Sequence, residues 1–136
     1  MITHHTKTKG DFGVLKCQVS LAEQGYIILN PATEHAPFDL VAYKDGVFKR
    51  IQVKYRTMKN GILQVRMATF WSDRNGTHTQ PIDKNEVDLF CIYCPDTDRC
   101  YYFSPKDCKS NFTIRIEEPK NKVGGIHYAN DYLLIP

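Results

Sequence analysis

Residues 37–56 read PFDLVAYKDGVFKRIQVKYR, two strand-like runs joined at Lys44-Asp45-Gly46. Asp-Gly between alternating apolar residues is a strong hairpin signal, because a tight two-residue turn needs the positive φ that glycine adopts without strain. The second run, Val47 to Arg56, alternates along its length. Val47, Lys49, Ile51, Val53 and Tyr55 point one way; Phe48, Arg50, Gln52, Lys54 and Arg56 point the other. One face is therefore core, and the opposite face is functional or solvated. Gln52 and Lys54 share that second face, and closing the hairpin brings Asp39 within side-chain reach of both.

Outward from this hairpin, the chain reads as one helix followed by strands. Thr6 to Gly25 suits a helix, with Asp11, Leu15, Gln18 and Ala22 on one face, read as the inward one, and Gly25 as the stop. Tyr26 to Leu29 is a short strand, Asn30 to Ala36 a polar loop, and Phe38 to Tyr43 the first hairpin strand. After it, Asn60-Gly61 signals another hairpin into Leu63, Val65 and Met67, which alternate with Gln64 and Arg66, so a meander is expected. Ala68 to Asn85 is polar with interspersed aromatics and has no period; it reads as a long functional loop or stays unassigned. Leu89 to Tyr93 and Cys100 to Phe103 form a further hairpin around Pro95-Asp96-Thr97-Asp98. Ser104-Pro105-Lys106-Asp107 has the cap, proline and acid of a short helix start. Phe112 to Ile116 is a strand, Asn121 to Gly125 a loop, and Ile126 to Leu134 packs the tail back. These elements predict a single α/β domain of the mixed α+β kind over residues 1–136.

The 136 residues are 42% hydrophobic, enough for a real core. No apolar run approaches the roughly 18 residues of a membrane span. The first residues, MITHHTKTKG, lack the apolar stretch of a secretory signal. Five cysteines, odd in number and unevenly spaced, do not make a disulfide framework, so a cytoplasmic protein with reduced thiols is expected. Cys91-Ile-Tyr-Cys94 invites a zinc reading, but on a strand residues three apart face opposite sides. His4 and His5 read as a disordered start. Net charge is only +3, yet residues 37–80 hold eight Lys/Arg against three Asp, a local +5, while 81–136 are locally −2. A basic middle suits an anionic partner docked on one face, and a solvated basic surface fits the charge equally well.

Two carboxylates (Asp11 and Asp39), the Gln52 amide oxygen and the Lys54 ammonium suit phosphodiester hydrolysis. Oxygen ligands are what a hard cation such as magnesium accepts. The cation stabilises charge on phosphate and lowers the pKa of the attacking water. A neighbouring lysine can hold that water and neutralise developing negative charge.

With KGDFG at 9–13, PFDLVAYKDG at 37–46 and IQVKYR at 51–56, the chain resembles the PD-(D/E)xK nuclease superfamily. More narrowly, glutamine in place of the third acid resembles the small group I intron-encoded homing endonucleases of cyanobacterial type. The resemblance implies a restriction-endonuclease-like core: an N-terminal helix, then a central mixed β-sheet with flanking short helices. It also implies a site-specific double-strand DNA endonuclease using one or two Mg2+ ions, with Mn2+ able to substitute. Asp11, Asp39 and Gln52 then hold metal, and Lys54 is catalytic with them. Aspartate at 11 and the residue between Pro37 and Asp39 depart from the commoner pattern. Gln52 makes the site one charge less negative. A junction resolvase or restriction-type nuclease shares this core, and an inactive nuclease-like DNA-binding module would show the same letters.

On a duplex, Arg50 and Arg56 share the face of Lys54 and could hold flanking phosphates. Lys59, Gln64 and Arg66 could reach a groove, as could Trp71, Arg74 and His78 in the unassigned segment. A chain this small covers a half-site or less, so a homodimer or homotetramer on a near-palindromic target is expected.

Overall fold

The computed structural model describes residues 6–117, 121 and 124–136, apart from the side chains of residues 69–71; His4 and His5 lie outside the described residues. Helix α1 (Thr6–Glu23) stops where the sequence places its glycine. Gly25, at φ 86, donates its N–H to Ala22 O at 3.0 Å, and Tyr26 donates to Leu21 O at 3.0 Å. That Schellman closure needs the left-handed conformation glycine adopts without penalty. The buried stripe of α1 is Gly13, Cys17 and Leu21. The expected inward face is the outer one, with Asp11 and Ala22 exposed and Leu15 58% exposed. Apolar residues occur all round this helix, so periodicity could not choose the stripe. Gly13 faces Val53 and Tyr55 on the sheet, with room there for a methyl group in ordinary contact.

Strands β1 (Ile27–Leu29), β2 (Leu40–Lys44), β3 (Val47–Tyr55), β7 (Leu89–Cys94) and β8 (Arg99–Phe103) form one sheet in that order. β7 runs parallel to β3; the other pairs are antiparallel. A second sheet takes β10 (His127–Tyr128), β9 (Asn111–Arg115) and β4 (Ile62–Arg66), while β5 (Ala68–Asp73) and β6 (Gly76–Pro81) pair only with each other. The helix-then-mixed-sheet order expected from the sequence is therefore present, with a short 3-10 turn at Pro105–Asp107 closed by the Ser104–Asp107 capping box.

The expected meander breaks at Asn60-Gly61. Both residues sit at positive φ (52 and 76), and Lys59 and Ile62 exchange backbone hydrogen bonds of 2.9 and 3.0 Å across the turn. Beyond it the strands part. β4 needs an apolar partner for Leu63 and Val65 and finds Ile114 and Phe112 on β9. β3 takes β7 instead, whose six residues are all buried. Such a strand can only sit in the middle of a sheet covered on both sides.

Two cores result. Cys17, Leu21, Leu40, Ile51, Cys91 and Tyr102 pack between α1 and the sheet. Leu63, Val65, Phe90, Phe103, Phe112 and Ile114 pack on the opposite face, with Phe103 stacked on Phe112 at 3.9 Å. Cys91 and Cys94 belong to different cores, as strand alternation requires. Gln52 and Lys54 are the register partners of Phe90 and Ile92, so they share the second core's face and lie half-buried at its margin.

Candidate active site

The β2–β3 hairpin locks Asp39 against β3 twice. Asp39 donates its backbone N–H to Ile51 O at 2.9 Å, and its Oδ2 accepts from the Val53 N–H at 2.7 Å. Asp39 is open to a surface cleft, but protein packs closely enough around it that burial raises its pKa above the ordinary aspartate value. The Val53 N–H and the Lys54 charge oppose that rise. Burial likewise lowers the pKa of Lys54, nearby Arg56 adds to the fall, and Asp39 opposes it. Both groups are thus poised with their charged forms disfavoured, the electrostatics of a site that gains from an added ion or substrate.

Gln52 carries the most telling contact. Its Nε2 donates to Pro37 O at 3.2 Å, whereas its Oε1 is buried without a hydrogen-bond partner. An acceptor buried this way costs about 1–3 kcal/mol unless a water or an ion satisfies it. Asp11 and Asp39 line one cleft of about 410 Å3, so the helix acid and the strand acid open on the same cleft although Asp11 stands on the outer side of α1. Among the described residues no three His, Cys, Asp or Glu side chains gather into a metal site. The cleft offers two carboxylates, and the Gln52 amide oxygen stands on the strand to which Asp39 is bonded, a donor chemistry that fits a hard divalent cation retaining several waters.

A second cleft of about 400 Å3 lies past the end of β3, lined by Lys9, Arg56, Lys59 and Gln64 with Thr6, Tyr55, Thr57 and Ile62. Arg56 is tied down by its own N–H to Tyr93 O at 3.0 Å and by Nη1 to Tyr55 O at 2.8 Å. The Met58 N–H donates to Asp96 Oδ2 at 2.7 Å and holds the loop that carries Lys59. Three of the predicted DNA-contacting residues, Arg56, Lys59 and Gln64, therefore share one basic cleft. Arg66 is exposed two residues along β4 from Gln64, and Arg74 is exposed at the β5–β6 turn. His78 faces Asp73 across that ribbon, Nε2 to Oδ1 at 2.9 Å. The side chain of Trp71 lies outside the described residues.

Arg50 is already paired within the chain. Its Nε and Nη2 grip the two Asp88 oxygens at 3.0 and 3.1 Å, its backbone N–H donates to Asp88 Oδ2 at 2.7 Å, and Nη2 also reaches Asn85 O. This guanidinium clamps β3 to the entry of β7 through an exposed ion pair. Alternation placed it on the correct face but could not show that Asp88, far along the chain, would occupy it.

The sequence reading also missed Lys9 and Thr6 in the basic cleft and Glu34 in the acidic one. Lys9 sits in the KGD stretch two residues before Asp11, a cation next to a candidate acid that the sequence displays openly. Glu34 lies in an aperiodic polar loop that offers no signal.

Residues 4–135 match the family model described as PD-(D/E)XK endonuclease. The chain belongs to that family. Among solved structures, this PD-(D/E)XK endonuclease is similar to a bacterial homing endonuclease, I-Ssp6803I. The TM-score is 0.76 at 21% sequence identity, over 95% of this chain and 88% of that one. That likeness confirms the restriction-endonuclease-like fold expected from the motif order. Among curated proteins none matches the chain significantly. Family membership makes the chain a nuclease and nucleic acid its substrate class. In this PD-(D/E)XK endonuclease no helix among the described residues is long and apolar enough to cross a membrane.

Proposed function

We propose that this nuclease is a site-specific, divalent-metal-dependent DNA endonuclease of the homing type, intron-encoded and cutting both strands of a duplex. The observation that carries the reading is the buried, unpartnered Gln52 Oε1, on the strand whose Val53 N–H holds the Asp39 carboxylate and whose Lys54 charge acts on it. All three residues standing in place favours an active enzyme over a binding module that has lost its site. The likeness to a bacterial homing endonuclease supports the homing assignment.

Asp39, Gln52 Oε1 and, from the helix, Asp11 are the residues that would hold one or two Mg2+ ions, with Mn2+ able to replace them. Such a cation acidifies the attacking water and offsets negative charge on the phosphate. Lys54 would hold that water and stabilise charge developing on the scissile phosphate. Lys9, Arg56 and Lys59 would grip flanking phosphates, fixing the register of the duplex without reading it. Base edges would fall to Gln64, Arg66 and the β5–β6 ribbon, a shape the major groove admits. One chain, as a single nuclease domain, carries one site. Cutting both strands of a long target then takes a homodimer or homotetramer on a near-palindromic sequence, working in the cytoplasm.

The test is digestion of intron-less host genomic DNA with Mg2+ or EDTA, followed by sequencing of new ends, with Lys54→Ala alongside. One or a few Mg2+-dependent cuts, absent in the variant, are expected. Persistent cutting by Lys54→Ala, or DNA binding with no cutting at all, would overturn the assignment.

A further inference from the structure

Resting on that reading, we infer that the main-chain carbonyl of Pro37 is what makes the third metal ligand of this site an amide, so that Gln52 is a selected neutral ligand and not a degraded acid. A carbonyl oxygen can only accept a hydrogen bond. The half of the Gln52 side chain that faces Pro37 O at 3.2 Å must therefore be the –NH2, which leaves Oε1 as the buried, unpartnered atom. Pro37 thus orients the amide as well as anchoring it. Pro37 and Asp39 lie on the same approach to β2, and Asp39 is itself pinned to β3 through Ile51 O and the Val53 N–H. The spacing between Pro37 O and position 52 is therefore built into the hairpin.

Glutamate at position 52 would set one carboxylate oxygen against Pro37 O with no proton between them. Two acceptors at hydrogen-bond distance repel, and the carboxylate would either swing away or stay unsatisfied. Restoring the acid that is commoner in this position of the motif should then weaken the site. The cost of the amide is one negative charge fewer around the cation.

The test follows the metal directly, by thermal unfolding and calorimetry of the full chain with EDTA and with Mn2+, without DNA. Wild type is expected to gain thermal stability from Mn2+, and Asp39→Asn to lose that gain. Gln52→Met, which removes the orphaned oxygen and the Pro37 hydrogen bond together at similar volume, should melt in EDTA near the wild-type temperature, the two losses offsetting, and bind Mn2+ about tenfold more weakly. Gln52→Glu should melt lower in EDTA and bind Mn2+ no more tightly than wild type. Tighter Mn2+ binding by Gln52→Glu with unchanged melting in EDTA would overturn the role of Pro37. A full Mn2+ response in Gln52→Met, with Asp39→Asn unresponsive, would overturn Oε1 as a ligand while leaving the nuclease reading intact. Absence of any Mn2+ response in wild type would overturn both.

Discussion

Two of the hairpins among the described residues, β2–β3 and β5–β6, have two-residue turns and opposite fates. β2–β3 turns at Asp45-Gly46 and buries the middle of one face, with Leu40, Ala42 and Ile51 at 0% exposure. Its other face carries Gln52 and Lys54, with Asp39 pinned at its entry. β5–β6 turns at Arg74-Asn75 and pairs with nothing but itself. Nearly every residue of β6 is exposed. Local bonds hold the ribbon: Asp73 Oδ1 accepts from the Asn75 N–H and meets His78, and at its base Ile82 donates to Met67 O. Chemistry on phosphate needs groups fixed to within a fraction of an ångström, which burial of the opposite face supplies. A freestanding two-stranded ribbon is marginal alone but can adapt to a groove.

The largest expected effect separates the two hairpins outright. Replacing residues 69–80 by a short Gly/Ser link should leave the melting temperature of the metal-free protein near wild type, because neither core includes the ribbon's described side chains. Specific binding to the target should fall about a hundredfold or more toward the non-specific level. Metal-dependent cleavage of non-specific DNA at low salt should persist. A chain that unfolds, or keeps its specificity, would erase the distinction.

Within the β2–β3 hairpin, Arg50 and Arg56 share a face and should behave differently. Arg56→Ala is expected to reduce the slope of log Kobs against log salt by about one. Arg50→Ala should leave that slope unchanged and lower the melting temperature, because its charge is already spent on Asp88. Salt titration of DNA binding, run beside thermal melts, checks both.

The smallest effect is in pH. With EDTA present, Asp39 titrates higher in the folded chain than in the unfolded one, chiefly through burial. Folded protein therefore holds more protons than unfolded between 3.8 and the raised value, and stability contributed by neutral Asp39 is lost as pH rises through that window. Asp39→Asn should match wild type below the window and be the more stable above it. Urea unfolding across acid pH measures the difference, and a constant difference at all pH values would show that Asp39 is not desolvated.

Much of the site was legible because it lies within one hairpin. A period of two, an Asp-Gly turn and two apolar runs suffice to bring Asp39 beside residues 52–54, since strand geometry leaves no other closure. β6 was illegible for the converse reason: a strand whose residues are nearly all exposed has no hydrophobic alternation to read. The inward stripe of α1 escaped because Leu15 and Val19, both more than half exposed, imitate a core face. Glu34, in an aperiodic loop, gave no local sign at all.

By itself the sequence determined the helix-then-sheet order, the closure of residues 37–56, and the gathering of Asp39, Gln52 and Lys54, all consequences of local periodicity and turn chemistry. Only the tertiary structure decided that β3 pairs with β7, that β4 crosses to β9, that Arg50 is consumed by Asp88, and that Gln52 turns its nitrogen to Pro37 and buries its oxygen. Those outcomes depend on which distant apolar face or opposite charge competes best for the same partner. That competition is settled by burial across the whole molecule, and no window of sequence contains it.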